Sequence, residues 1–416
     1  MSEKNKATIA VRNGVDADKH HGAVVPPIYL STTYSFADFD TKRAYDYGRS
    51  GNPNRDILAE TLAELEGGAR GIITATGMAA VHLATQLLNN DDTLVIPHDC
   101  YGGSYRLFTS LEKRGLLKLK VLDLTKQENL DQIVAIKPKL IWIETPSNPV
   151  LRLTDIKAVT DIAKQCGALV AADNTFLSPA LQNPIKLGVD IVVHSTTKYI
   201  NGHSDVVGGA VVAATQELGD ELAWWANNIG ITGAPFDSYL TLRGLRTLNV
   251  RLKQHQENAL AIAKYLESSE FVSQVYYPGL ESHPQHALAK AQQLGFGGMV
   301  SFDIKGDVND AAAFLTSLKE FSLAESLGGV ESLICHPATM THAGMEPKAR
   351  LEAGVGDTLI RISVGIEDID DLLADFERVF NLVKPGQNKN VGRVGKAAGS
   401  VEGDVKQQRA AHPALW

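Results

Sequence analysis

Seven short apolar runs, GIITA, TLVIP, LKVLDL, KLIWIET, ALVAAD, DIVVHS and GAVVAA, lie between residues 71 and 214, with helix-type patterns between them. A run that is apolar at nearly every position must be covered on both faces, which is the situation of a parallel sheet built from βα units. The spacing predicts an α/β fold with a mostly parallel seven-stranded sheet. In such sheets ligands bind beyond the carboxyl ends of the strands, so the chemistry belongs there.

The flanking regions differ. Residues 1–60 have little periodicity until Leu58, Leu62 and Leu65 recur at helical spacing before Gly67-Gly68. They carry Pro26-Pro27, hydroxyl and aromatic side chains, and Asp46-Tyr47-Gly48-Arg49-Ser50-Gly51-Asn52-Pro53. Such a segment either lies on its own subunit or crosses to a neighbour. Residues 61–250 hold the seven runs. A long helical pattern from Arg251 opens a smaller α+β region, 251–386, with the strands MVSFDI and LIRISV. Residues 387–416 lack a hydrophobic period and hold five basic against two acidic side chains, which reads as a flexible tail.

Composition narrows the function classes. With 40 basic against 48 acidic residues the formal charge is −8, so attraction to a phosphate backbone is not a general surface property and nucleic acid is a poor partner. Cys100, Cys166 and Cys335 are distant from one another and form no CxxC, which indicates neither a disulfide framework nor a zinc site and suits the cytoplasm. No apolar stretch is long enough to span a membrane, and no secretory leader is evident. His194, His203, His336 and His342 lack metal-ligand spacing and read as structural, so no metal is expected.

Two strand ends carry complementary polar groups: Asp173-Asn174-Thr175 after ALVAAD, and His194-Ser195-Thr196-Thr197-Lys198 at the end of DIVVHS. Lys198 reads either as a loop lysine or as a desolvated amine suited to Schiff-base chemistry with pyridoxal phosphate. That cofactor requires an anion beside its ring nitrogen, a phosphate cradle and a stacking aromatic. Asp173 suits the ring nitrogen, or else caps a helix. Gly77 and Met78 open a helix, predicted over residues 78–88, whose N–H groups form an anion site to which Ser195 and Thr197 add hydroxyls. Tyr101 follows TLVIP and either stacks on the ring or belongs to the core. P-loop, GxGxxG and HExxH motifs are missing.

With these residues in view, the chain resembles the cysteine/methionine-metabolism family of pyridoxal-phosphate enzymes. The motifs PHDCYGGSYRLF, ETPSNP, VVHSTTKYINGHSDVVGG, AWWANNIGITGAPFDSYLTLRGLRTL, AESLGGVESLICHPATMTHAGM and LIRISVGIED carry the resemblance over about residues 7–385. It implies a fold-type-I, aspartate-aminotransferase-like large domain over 61–250 and a homotetramer of two active dimers. The arm then serves the neighbouring subunit, where Tyr47 and Arg49 meet the cofactor phosphate. Lys198 becomes the Schiff-base lysine and base, Asp173 the ring-nitrogen partner, Tyr101 the stacking ring, and Asn148 the partner of the ring oxygen. Arg361 grips the substrate α-carboxylate, a task for which a bidentate guanidinium is suited.

The resemblance further implies amino-acid substrates and γ-replacement of O-succinyl-L-homoserine by L-cysteine, giving L-cystathionine and succinate. Cleavage of cystathionine and sulfhydrylation of an O-acylhomoserine are the alternatives, and a cofactor-free binding protein of the same fold is the reading from another class. Glu325 and Ser326 match relatives working on the γ side of cystathionine, although Glu325 alone also reads as a loop carboxylate. Arg106 is placed to meet a distal carboxylate. Some relatives acting on succinyl esters have a second arginine where this chain has Ser50.

Overall fold

The computed structural model describes residues 4–345 and 347–387. The seven runs form β1 (Arg70–Thr74), β2 (Thr93–Pro97), β3 (Lys118–Leu122), β4 (Leu140–Glu144), β5 (Leu169–Asp173), β6 (Ile191–Ser195) and β7 (Gly209–Ala213). They make one sheet in the order β1-β7-β6-β5-β4-β2-β3. Pairing is parallel from β3 to β6; β7 alone runs the opposite way, antiparallel to β1 and β6. The carboxyl ends of β4, β5 and β6 therefore lie side by side.

Alternation along each strand shows the burial of both faces. Val95, Ile141, Ile143, Val170 and Val192 pack on one face with Leu58, Leu62 and Leu65 of α2 (Pro53–Glu66) and Val159 of the helix Ile156–Cys166. Leu94, Ile96, Trp142, Ala171 and Val193 face the other way, toward α3 (Gly77–Thr85) and α4 (Gly102–Lys113). Trp142 is fully buried, and its removal from water alone contributes about 3 kcal/mol. The helix expected from Met78 to Leu88 starts at Gly77 and ends three residues sooner, at Thr85.

A second sheet, β8 (Val272–Tyr276), β9 (Met299–Ile304), β10 (Ser322–Leu323), β11 (Leu333–Cys335) and β12 (Leu359–Ser363), has the order β10-β11-β12-β9-β8. Its core of Phe302, Phe314, Phe376 and Phe380 is separate from that of the large sheet. The helix Leu248–Ser268 joins the two: Leu248 and Leu252 pack on the first core, Ile262, Ala263 and Leu266 on the second. The boundary expected near residue 250 thus falls within a continuous helix. The expected tail lies outside the described residues from 388 onward.

The arm is partly tied to its own chain. α1 (Lys6–Arg12) buries Ile9 and Ala10 against the first core. Asn52 is fully buried and caps α2, accepting from the N–H groups of Asn54 and Arg55, while its amide donates to Tyr29 O at 2.9 Å and Tyr34 Oη at 3.3 Å. Between these anchors Val24, Leu30 and Phe39 are exposed. Asn52→Ala removes both the cap and the tether, so it should cost about 1–2 kcal/mol. Denaturant titration would read that loss, and amide hydrogen exchange of residues 29–34 should rise with it; unchanged exchange would refute the tether.

Candidate active site

Three strand ends and one helix start converge. β4 ends in Glu144, β5 in Asp173 and β6 in Ser195, with Glu144 and Asp173 directly paired in the ladder. Thr175 links two of them: its N–H donates to Asp173 Oδ1 at 3.0 Å, and its hydroxyl accepts from the Ser195 N–H at 2.9 Å. α3 begins opposite Ser195. Thr76 caps that helix, and a Cβ on Gly77 would stand 2.7 Å from Ser195 Cβ and 2.8 Å from its Oγ. Only glycine permits this approach, which brings the hydroxyl and the free N–H groups of the first turn to one spot. Thr197 is on the same loop, its hydroxyl accepting from Gly208 N–H at 3.0 Å.

Lys198 extends from that loop, and its Nζ donates to Ser326 Oγ at 2.8 Å. Burial pushes the amine down to about 8; Arg361 adds to the effect and Glu325 opposes it. Ser326 comes from the second sheet's side, on the segment between β10 and β11, with φ at 95°. Gly328 makes the approach possible, since a Cβ there would meet Tyr199 N at 2.6 Å. Arg361, on β12, is buried; its Nη1 donates to Asn148 Oδ1 at 2.9 Å and its Nη2 to Ser326 O at 3.0 Å. Its Nε is buried and without a hydrogen-bond partner, a donor left for an incoming anion.

The carboxyl groups are pushed in the opposite sense. Burial raises Asp173, opposed by the hydrogen bonds from Thr175 and by the charge of His194. Burial lifts Glu144 far above the ordinary carboxylate range, and Asp173 adds to it. Glu144 accepts from Tyr101 N–H at 2.8 Å, which fixes the start of α4 and with it the Tyr101 ring. That ring is 42 % exposed and lies by Met78: a Cβ on Gly103 would touch both side chains. Burial raises the Tyr101 hydroxyl, with Arg106 lowering and Glu325 raising it, so those two charges face the same mouth.

Most sequence-predicted residues are therefore brought together: Gly77, Met78, Tyr101, Asn148, Asp173, Ser195, Thr197, Lys198, Ser326 and Arg361, with Arg106 and Glu325 at the rim. Tyr47 and Arg49 stand apart. Arg49 lies 5.6 Å from the centroid of the Tyr47 ring and donates to the Asn227 carbonyl and side-chain oxygens, both at 2.7 Å. Glu144 escaped the sequence reading although it shares Asp173's signal, a carboxylate at the end of a buried strand. Among the described residues no His, Cys, Asp and Glu cluster could hold a metal, and no helix is long and apolar enough to cross a membrane.

The arrangement fits pyridoxal phosphate. A helix N-terminus with hydroxyls suits its phosphate, the Asp173 carboxylate its ring nitrogen, the Tyr101 ring its face, and the depressed amine of Lys198 its aldehyde. The amine can be tested without cofactor. Competitive acylation of the apoenzyme, read by mass spectrometry, should show Lys198 losing its proton around pH 8, against about 10.4 for ordinary lysines. A midpoint near the ordinary value would show that burial does not control it.

The Cys/Met metabolism PLP-dependent enzyme family model matches residues 7–381. Cystathionine gamma-synthase of Escherichia coli is 55% identical over 384 residues, covering 92% of this chain and all of that protein. Cystathionine gamma-lyase of Dictyostelium discoideum is 47% identical, covering 90% of this chain and 97% of that one. Among solved structures, cystathionine gamma synthase from Xanthomonas oryzae pv. oryzae, in complex with aminoacrylate and cysteine, has 58% identity and a TM-score of 0.91, covering 92% of this chain and 99% of that chain. The chain belongs to the Cys/Met metabolism PLP-dependent enzyme family and is a pyridoxal-phosphate-dependent enzyme that acts on carbon–sulfur bonds.

Proposed function

We propose that this enzyme catalyses γ-replacement, joining L-cysteine to an O-acyl-L-homoserine, with the succinyl ester as preferred substrate, to give L-cystathionine and the carboxylic acid. The observation that carries the reading is the meeting of Lys198, Arg361 and Glu325 at one mouth: a base, a carboxylate grip and a rim carboxylate. The higher identity to two synthases, 55% and 58%, than to the γ-lyase, 47%, supports it.

Pyridoxal phosphate would supply an electron-accepting ring that spreads negative charge from the substrate's Cα. The side chains do the rest. Arg361 binds the α-carboxylate through a planar fork, using its unpartnered Nε–H and turning donors from Asn148 or Ser326. Lys198 would take the proton from Cα, give it up again, and only then, neutral once more, take one from Cβ; an amine near pKa 8 is neutral in a useful fraction at physiological pH and returns the proton readily. Ser326 steers that amine through its hydroxyl. Asp173 would keep a proton on the ring nitrogen, Ser195, Thr197 and the Gly77–Met78 turn would hold the phosphate, and Asn148 would meet the ring oxygen. Arg106 faces the distal carboxylate of the ester.

The same reading assigns the exposed stretch of the arm to a neighbouring subunit in a homotetramer, where Tyr47 and Arg49 contact the phosphate. Exposed Val24, Leu30 and Phe39 beside an anchored Asn52 support that role. Three free thiols suit a cytoplasmic enzyme. γ-Cleavage of cystathionine is the second reading, favoured by the Dictyostelium relative.

Incubation with O-succinyl-L-homoserine plus L-cysteine should yield cystathionine and succinate as main products, measured by mass spectrometry. Predominant release of 2-oxobutyrate and cysteine from cystathionine alone would favour the lyase instead. Arg361→Lys should lower kcat/KM by about 100-fold, since a point charge cannot replace the fork and leaves Asn148 and Ser326 oxygens without their donors. A near-normal value would remove Arg361 from the substrate site.

A further inference from the structure

Behind the site, on the opposite face of the large sheet, lies a buried polar cluster that the chemistry above does not use. Its centre is Glu66, the last residue of α2 and fully buried. A carboxylate at a helix C-terminus opposes the helix dipole, so this one is held by side-chain donors instead. His194 Nε2 lies 2.6 Å from Glu66 Oε1, Asn174 Nδ2 donates to the same oxygen at 2.8 Å, and Asn183 Nδ2 donates to Oε2 at 3.3 Å. Lys6 of α1 donates to Asn183 Oδ1 and Pro179 O. Gln182 completes the set, donating to Asn174 Oδ1 and Thr145 O, each at 3.0 Å.

Two of the residues that Glu66 grips are immediate neighbours of site residues. Asn174 follows Asp173, and His194 precedes Ser195. Successive side chains of an extended chain point to opposite faces. Asp173 and Ser195 therefore turn to the cofactor side, and Asn174 and His194 turn to the back, where one carboxylate takes both. On the front Thr175 bridges the same two residues. The ends of β5 and β6 are thus fastened on both faces, and Asn174 N–H donates to Val193 O at 3.0 Å between them.

We propose that Glu66 is a positioning residue for the cofactor: by clasping Asn174 and His194 it fixes the spacing between the ring-nitrogen carboxylate of Asp173 and the phosphate-binding hydroxyl of Ser195. The clasp also fixes where the His194 ring stands relative to Asp173. The charged groups around it are Glu66 from α2, Lys6 from α1, with Lys186 acting on Lys6, and Asp173 and Glu144 across the sheet. The inference depends on the cofactor and not on which carbon–sulfur reaction the enzyme performs.

Glu66→Gln and Asn174→Ala test it. Each apoenzyme is titrated with pyridoxal phosphate by tryptophan fluorescence, the phosphorus resonance of the bound cofactor is recorded, and thermal unfolding of the apo form is measured separately. Expected for both variants are about tenfold weaker cofactor binding and a displaced phosphorus resonance, beyond any change in apo stability. His194→Gln, which keeps an N–H donor for Glu66, should retain most of the unsubstituted enzyme's affinity. A lowered unfolding temperature with unchanged affinity and resonance would reduce Glu66 to a packing role and overturn the proposal. Where Glu66→Gln does not fold, Asn174→Ala gives the same decision, because it breaks the link to β5 and leaves the Glu66–His194 pair in place.

Discussion

The guanidinium of Arg361 joins two bodies that have separate cores. It rises from the second sheet, and its donors reach Asn148, beyond the end of β4 in the first, and Ser326, whose hydroxyl receives Lys198. A buried arginine without partners would cost several kcal/mol, so these contacts hold the Asn148 and Ser326 segments at one distance. The group proposed to hold the substrate carboxylate is in this way one carbonyl and one hydroxyl from the proposed base. Occupation of the fork by a carboxylate would change the field on Lys198, since Arg361 is the charge that adds to its depressed proton affinity.

Desolvation acts on three groups of the pocket with one consequence: Lys198 is pushed downward and Asp173 and Glu144 upward, each toward neutrality. That state suits a pocket that takes up a charged cofactor. On the proposed assignments the phosphate would bring negative charge to a helix N-terminus, the ring nitrogen would face a carboxyl group held in low dielectric, and a neutral amine would be ready to react. Glu144 feels that exchange only through Asp173, its neighbour in the ladder. Its carboxyl lies deeper, occupied by the Tyr101 N–H, and it serves to set the start of α4.

Much of this was legible because strand burial writes itself into sequence. All seven runs became strands, and the carboxyl ends of two of them carried Asp173 and Lys198 into one site. The antiparallel direction of β7 left no mark, since its residues are buried on both faces like those of its parallel neighbours. β10 and β11, of two and three residues, are too short to carry a period, and β8 alternates only partly. Tyr47 and Arg49 were drawn from resemblance alone; within one chain they stack on each other near Asn227, away from Lys198.

His194 marks the limit of reading residues one at a time. Its spacing favours a structural histidine over a metal ligand, and it is packed away from solvent. Yet the residue that receives it, Glu66, is 128 positions distant and ends a helix whose apolar stripe gave no sign of a buried charge. The pleat supplies what the linear pattern lacks: wherever a strand end places a functional side chain on one face, its neighbour faces the other, and whatever meets that neighbour acts on the site through a single peptide unit. In a doubly covered sheet the second layer of an active site is therefore to be sought on the reverse side of its strands.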